Sequence, residues 1–388
     1  MTTRNLLVRA AATLLLSGMY TGRSVAQMKK PLLTDNKLLT PIDSVVDHAA
    51  GIYMSHKNTV GLSIGIYRKG RFLTYNYGEV KKGSGKLPSP DNFCNIGSVA
   101  KTFVGTMLAQ AIVEGKVKPE DDIRKYLPGN YPNLEYHGRA VQLVDLANHT
   151  AALPQPKKEI PEALRENWKK LPMQQQVDFF AAYNQDSLLA DLHHVKPDTI
   201  PGTRYRYSSH GMMLLMVILE RVYHQPYNQL LTNFLHKHLH MKDTRQVLSA
   251  ADMKRAAQGY DKAGNPQPFV NLEGFYIGPS MNSTVRDMLK FLEANLTEKD
   301  PAVKLTHQLT FGKPDGFGSG LSWMIDTDTT GARYIYHDGS VRIGFNTLCL
   351  FYPEKQLGFI IIANDTVDQA MVGEVENNIS RGLSALKE

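Results

Sequence analysis

Alternating apolar positions occur in two blocks of this chain that lie far apart, and helical spacing fills the stretch between them. Ile42, Val45, Val46, Ala49 and Ile52 fall at the three-to-four-residue interval of one helix face, which predicts a helix over residues 39–54. Residues 60–67 and 72–77 then alternate with a period of two, and Arg68-Lys69-Gly70-Arg71 between them reads as a hairpin turn. A further helix carries Val104, Met107, Leu108, Ala111 and Ile112 and stops near Gly115. From Lys116 to about residue 309 the pattern is mostly helical. The segments are 141–149, 161–168, 174–193, 208–224, 227–239, 284–293 and 301–308, separated by Pro/Gly-containing connections such as 196–202. The period returns to two at 318–325, 333–336, 345–351 and 357–363, and a last helix spans 366–386.

Strands near both ends and helices between them predict an α/β (α+β) chain. One antiparallel sheet is built from both termini and flanked by the terminal helices, with an all-helical domain inserted. The expected boundaries are residues 27–115 with 310–388 for the discontinuous sheet domain and 116–309 for the helical domain. A site would lie in the cleft between them.

Composition adds a leader. Arg4 and Arg9 precede the apolar run from Ala10 to Leu16, and Ser24-Val25-Ala26 offers a small-residue cleavage point, so residues 1–26 read as a signal peptide cut near Ala26. The apolar run is too short to span a bilayer, and no transmembrane segment is expected once the leader is removed. A periplasmic or secreted location follows. The formal charge of +7 includes Arg4, Arg9 and Arg23 of the leader, and no Lys/Arg cluster with interleaved aromatics is present, which argues against nucleic acid as a partner. The two cysteines, Cys94 and Cys349, sit in apolar surroundings and read as buried free thiols.

The candidate chemistry centres on residues 93–103, where Ser98 opens the apolar helix and Lys101 follows three residues on. Positions i and i+3 of a helix share a face, so hydroxyl and amine point into the same space, an arrangement suited to a serine nucleophile with a neighbouring base. An N-cap serine would prefer Glu or Gln at that position, and a lysine is unfavourable at the positive end of a helix dipole. The same spacing recurs at Ser384 and Lys387, at the extreme C-terminus, where fraying is expected and the sequence argues for no pocket. Gly61-Leu62-Ser63-Ile64-Gly65 formally matches a nucleophile elbow, but the alternation runs on into a hairpin rather than turning into a helix, so Ser63 reads as a strand residue. His236, His238 and His240 are two residues apart at a helix end and face different ways, and no metal or cofactor is expected.

Further boxes stand in order along the chain: residues 146–154 (LANHTAALP), 201–209 (PGTRYRYSS), 283–287 (STVRD) and 337–340 (HDGS). Together with the Ser98–Lys101 pair, they resemble the serine hydrolases of the class C β-lactamase and D-alanyl-D-alanine peptidase family, over nearly the whole mature chain. The resemblance implies that Ser98 forms an acyl-enzyme, with Lys101 as base or relay and Tyr207 exchanging a proton with Ser98 and the leaving group. It further implies an oxyanion hole from the backbone N–H groups of Ser98 and Ser340, and substrate contacts at Ser209, His337, Asp338, Gly339 and Arg342. Two departures stand out. Ser209 replaces an expected Asn, and Asp338 brings negative charge where Thr or Gly is usual; both count against efficient β-lactam hydrolysis. Arg342 either supplies a carboxylate partner or is a solvated surface residue. The expected activity is that of an exported D-alanyl-D-alanine carboxypeptidase/endopeptidase-like peptidase acting on peptidoglycan peptides. The alternatives are an esterase or D-aminopeptidase on the same scaffold, a β-lactamase, or a non-catalytic penicillin-binding sensor. The partners implied are a small peptide, ester or β-lactam and peptidoglycan.

Overall fold

The protein is described from a computed structural model over residues 31–154, 166–269, 280–314 and 316–386. Residues 1–26, expected as a signal peptide, and most of the expected helix 161–168 lie outside the described residues. From Leu32 onward the chain forms one compact unit.

Helix α1 (Pro41–Met54) begins where Thr40 and Asp43 form a reciprocal capping box and Pro41 pre-sets the first turn. Strands β1 (Gly61–Arg68) and β2 (Arg71–Gly78) form the expected hairpin. Its turn residues Lys69 and Gly70 both have positive φ, 48° and 81°, as a two-residue turn matched to strand twist requires. Helix α2 (Ala100–Val113) follows, and the middle of the chain supplies α3 (Ser209–Tyr223) and α4 (Val285–Thr297) among other helices. The expected helix over 174–193 is two helices, Met173–Ala181 and Gln185–Leu192, because Asn184 caps the second by accepting from the Ser187 N–H.

The second block of strands is β3 (Phe311–Gly312), β4 (Gly318–Gly320), β5 (Trp323–Thr327), β6 (Arg333–Val341), β7 (Phe345–Tyr352) and β8 (Leu357–Ala363), closed by α5 (Gln369–Ala385). All belong to one eight-stranded sheet in the order β2-β1-β8-β7-β6-β5-β4-β3, and every paired neighbour is antiparallel. The pairing of β1 with β8 joins the two ends of the sequence. Residues 318–325, expected as one strand, are split at Leu321 and Ser322, whose φ values of 37° and 80° fold β5 back onto β4. The strand expected to end at Tyr336 runs on to Val341, because β7 pairs with it through Phe345.

Both faces of the sheet are covered. Ile361, Phe359, Leu348 and Leu350 pack under α1 and α5, whereas Ile360, Ile362, Cys349 and Phe351 pack with α2 and α4. That is why β7 and β8 read as nearly continuous apolar runs. Helix α2 is buried from Ala100 through Ala109, as expected of a helix without a polar face. It therefore holds its first turn rigidly. No helix among the described residues is long and apolar enough to cross a membrane. Cys94 and Cys349 are free and buried.

Candidate active site

The site begins at the turn before α2. The Asn95 carboxamide oxygen accepts the Gly97 N–H at 3.0 Å, and Gly97 takes φ 54°, a conformation that glycine adopts without steric penalty. This sharp corner leads into a 3-10 turn, Gly97–Val99, that hands the chain to α2. Ser98 sits in that turn, half-buried, while Gly97, Val99 and Ala100 around it are buried. Lys101, one turn on, lies on the same face, and its Nζ donates to Ser98 Oγ at 2.9 Å. Only 3% of Lys101 is exposed. Burial lowers its amine to about 8, with the Asp338 charge opposing the shift.

Facing this turn is the part of β6 that extends beyond the end of β5, where the last paired residues are Tyr336 and Met324. Gly339 is pressed against the nucleophile turn: a Cβ there would lie 2.4 Å from the Ile96 carbonyl oxygen and 3.0 Å from Ser98 N. Conversely, a Cβ on Gly97 would lie 3.1 Å from Ser340 N. The two backbone stretches that carry Ser98 N–H and Ser340 N–H are thus in direct contact.

Tyr207 arrives from the helical part of the chain, two residues before α3, whose N-terminus is capped by Ser208 Oγ accepting from Gly211 N–H at 3.0 Å. The Lys101 Nζ lies 5.1 Å from the centre of the Tyr207 ring. Burial raises the Tyr207 phenol well above its ordinary range, a hydrogen bond with the Ser98 side chain works against that rise, and Asp338 and Tyr205 add to it. The resting proton inventory is therefore a neutral phenol beside an amine that can lose its proton near pH 8.

Two histidines flank Tyr207. His337, on β6, has its ring centre 6.3 Å from that of Tyr207, and His149 lies at 4.5 Å. Both are buried, and desolvation drives each down to about 3, Lys101 contributing to both shifts. They are neutral rings at physiological pH, in opposite tautomers. His337 Nδ1 meets the Asp338 carbonyl oxygen at 2.6 Å and so carries its proton there, whereas His149 Nδ1 accepts the Ser208 N–H at 3.2 Å and carries its proton on Nε2.

Of the other expected site residues, Asp338 is partly buried on β6, and desolvation raises its carboxyl while Lys101 lowers it. Ser209 is half-buried as the first residue of α3, Ser340 is exposed on β6, and Arg342 is exposed in the turn between β6 and β7. Sequence reasoning did not single out His149 or Asn95. The boxes that contain them were visible, but the contacts that give these side chains a purpose join residues distant in the chain. Tyr205 was likewise missed; its ring packs edge-on against His149 at 5.8 Å and against Phe317 at 4.9 Å between ring centres. Ser63 is a buried strand residue whose hydroxyl donates to Asn76 Oδ1 at 2.9 Å. Among the described residues no group of three or more His, Cys, Asp or Glu side chains is placed to hold a metal.

Residues 43–379 match the Beta-lactamase family model. A beta-lactamase of Pseudomonas fluorescens is 26% identical over 371 residues, covering 85% of this chain and 96% of its own length. The D-alanyl-D-alanine-carboxypeptidase/endopeptidase AmpH of Escherichia coli K12 is 24% identical over 360 residues, covering 88% of each. Among solved structures, a beta-lactamase/D-alanine carboxypeptidase from Pseudomonas syringae superposes with a TM-score of 0.74 at 24% identity, covering 90% of this chain and all of its own. A class C beta-lactamase superposes at 0.73, with 23% identity, and covers 89% and 97% respectively. The solved structures share the sheet-plus-helices fold found here, and the family-model match over residues 43–379 makes this chain a member of the beta-lactamase family of serine hydrolases.

Proposed function

We propose that this protein is an exported serine hydrolase that cleaves amide or ester bonds through an acyl-enzyme on Ser98, with D-alanyl-D-alanine peptides of peptidoglycan as its substrate class. The observation that carries the reading is the 2.9 Å contact between Lys101 Nζ and Ser98 Oγ, with an amine whose burial lowers it to about 8. A desolvated lysine is a usable base where an ordinary one is not. In its neutral form Lys101 takes the Ser98 hydroxyl proton as Oγ bonds to the substrate carbonyl carbon. The negative charge that develops on the carbonyl oxygen meets the backbone N–H groups of Ser98 and Ser340, which the Gly97–Gly339 contact brings together. Collapse breaks the bond to the leaving amine or alkoxide, and Tyr207 supplies the proton it needs. Tyr207 then recovers a proton from Lys101, restoring the resting state of both. Water, activated at the same groups, releases the acyl chain from Ser98.

The substrate assignment is supported by the AmpH relative, whose length this chain matches over 88%. Asp338 places a carboxyl on the strand that carries Ser340, where it opposes a substrate carboxylate, that of a penicillin and that of a terminal D-alanine alike, and so favours ester bonds and amide bonds without a free carboxylate beside them. Its family position is in turn consistent with export by the leader at residues 1–26. The test is a panel of D-alanyl-D-alanine peptides, p-nitrophenyl esters and β-lactams offered to the mature protein. Release of D-alanine with slow or absent β-lactam turnover supports the reading. Ester cleavage without D-alanine release replaces the peptidase by an esterase, and rapid β-lactam turnover replaces it by a lactamase.

A further inference from the structure

One residue grips the chain on both sides of Tyr207. The His149 carbonyl oxygen accepts the Arg206 N–H at 2.7 Å, and His149 Nδ1 accepts the Ser208 N–H at 3.2 Å. Between those two bonds the His149 ring packs against the Tyr207 ring, with centroids 4.5 Å apart and planes inclined by 42°. Residues 206, 207 and 208 are therefore held by the carbonyl, the ring and the ring nitrogen of a single side chain and its own backbone. The grip is anchored from behind. Thr150 N–H donates to the Asp145 carbonyl at 2.8 Å, and Gly202 N–H donates to the Thr150 carbonyl at 2.9 Å, so the 149–152 turn is tied to both the preceding helix and the loop that carries Tyr207. His149 itself takes a left-handed backbone, φ 58°, which directs its side chain and its carbonyl toward the same neighbouring segment.

Packing alone does not select an imidazole here. His149 is 4% exposed, and its Nε2 is buried with no hydrogen-bond partner among the described residues. An unpaired buried N–H is destabilising, and a phenyl ring would fill the space without it. What the imidazole adds is the Nδ1 acceptor, fixed in one tautomer because burial keeps the ring neutral.

We infer that His149 is a positioning residue for the acyl-transfer reaction: it sets the height and tilt of the Tyr207 phenol over Ser98 and Lys101 without touching substrate. The inference rests on the reading that Ser98 is acylated and Tyr207 passes the proton. Misplacement of a proton donor by a fraction of an ångström slows the chemical step more than it weakens binding.

The test uses three variants of the mature protein and two acyl donors, a fluorescent penicillin and a p-nitrophenyl ester. Acylation is followed to saturation so that the rate constant and the half-saturation concentration are separated. His149→Phe keeps the ring contact and loses the acceptor. His149→Gln places its amide near Nε2 and also loses the Nδ1 acceptor. His149→Asn tolerates the left-handed backbone and returns an acceptor oxygen to the Nδ1 position. Expected are an acylation rate at least 10-fold lower for Phe and Gln, half-saturation within about 2-fold of wild type, and recovery by Asn to within about 3-fold of the wild-type rate. Melting temperatures measured alongside show whether each variant is folded, and the Asn–Gln comparison stands even if the Phe variant is not. Wild-type rates in the Phe and Gln variants overturn the inference, as does an Asn variant that loses as much as Gln. If neither donor acylates Ser98 in the wild-type protein, it is the parent reading that falls.

Discussion

Gly97 and Gly339 meet backbone to backbone, and neither leaves space for a side chain. A Cβ on Gly97 would lie 3.1 Å from Gly339 Cα, and one on Gly339 would lie 2.4 Å from the Ile96 carbonyl oxygen. The corner that presents Ser98 and the strand that presents Ser340 N–H therefore have one relative position.

Gly339→Ala forces these backbones apart, because no flexible side chain is available to yield. Loss of one oxyanion donor costs about 10²–10³ in kcat, and the substitution is expected to reach at least the lower figure while the sheet, held by β7 and the strands beyond it, stays folded. Steady-state kinetics together with circular dichroism check this. A folded Gly339→Ala protein with wild-type kcat would separate the contact from catalysis.

Lys101 gives two linked pH effects. Acylation is expected to rise as pH increases through about 8, where the buried amine loses its proton, and to level off above it. Lys101→Met lowers acylation by about 10²–10⁴-fold and removes the rising limb. The stability effect has a definite sign. The amine sits near 8 in the folded chain and at its ordinary 10.5 when unfolded, so the unfolded state holds more protons between those values and wild-type stability rises with pH across that window. Lys101→Met is accordingly more stable than wild type at pH 7, by a margin that shrinks between pH 8 and 10.5. Paired thermal melts from pH 7 to 10.5 measure it.

Much of this architecture is legible in the sequence, and the exceptions share a cause. Helix α1 declares itself through the helical spacing of its apolar residues, the β1–β2 hairpin through alternation on either side of a turn, and Ser98 with Lys101 through a three-residue spacing that a helix converts into a shared face. The break at Leu321–Ser322 has no such signal: neither residue is a glycine, and only the pairing of β4 with β5 requires their positive φ. The extension of β6 through Asp338, Gly339 and Ser340 is hidden from the apolar periodicity, because Asp and Gly are depleted in strands, and only the family resemblance of the 337–340 box points to a strand there; β7 supplies the pairing. His149 is the extreme case, since the bond that defines its role reaches Ser208, which is 59 residues away. The placement of Tyr207 was readable only from the order of several boxes, because a lone tyrosine before a helix carries no chemical signature.

The two buried histidines beside Tyr207 contribute to acid sensitivity, as does buried His307, whose ring burial also keeps neutral. His149 and His337 are held near 3 by burial, against an ordinary 6.5 in the unfolded chain, so the unfolded state takes up more protons in that interval. Each contributes stability that is present above about pH 6.5 and is lost as pH falls toward 3, at most about 1.4 kcal/mol per pH unit apiece. Denaturant titrations between pH 7 and 4 are expected to show a falling free energy of unfolding for wild type and a shallower fall for His149→Asn. Identical slopes would mean that the ring is already charged, or solvated, in the folded protein.

The central claim is that a substrate's acyl group is carried on Ser98. Intact-protein mass spectrometry after brief exposure to a fluorescent penicillin and to a p-nitrophenyl ester, followed by peptide mapping, addresses it most directly. A single adduct is expected on the peptide that contains Ser98, and none in Ser98→Ala. An adduct that persists in Ser98→Ala, or that maps to another residue in the wild-type protein, would contradict it.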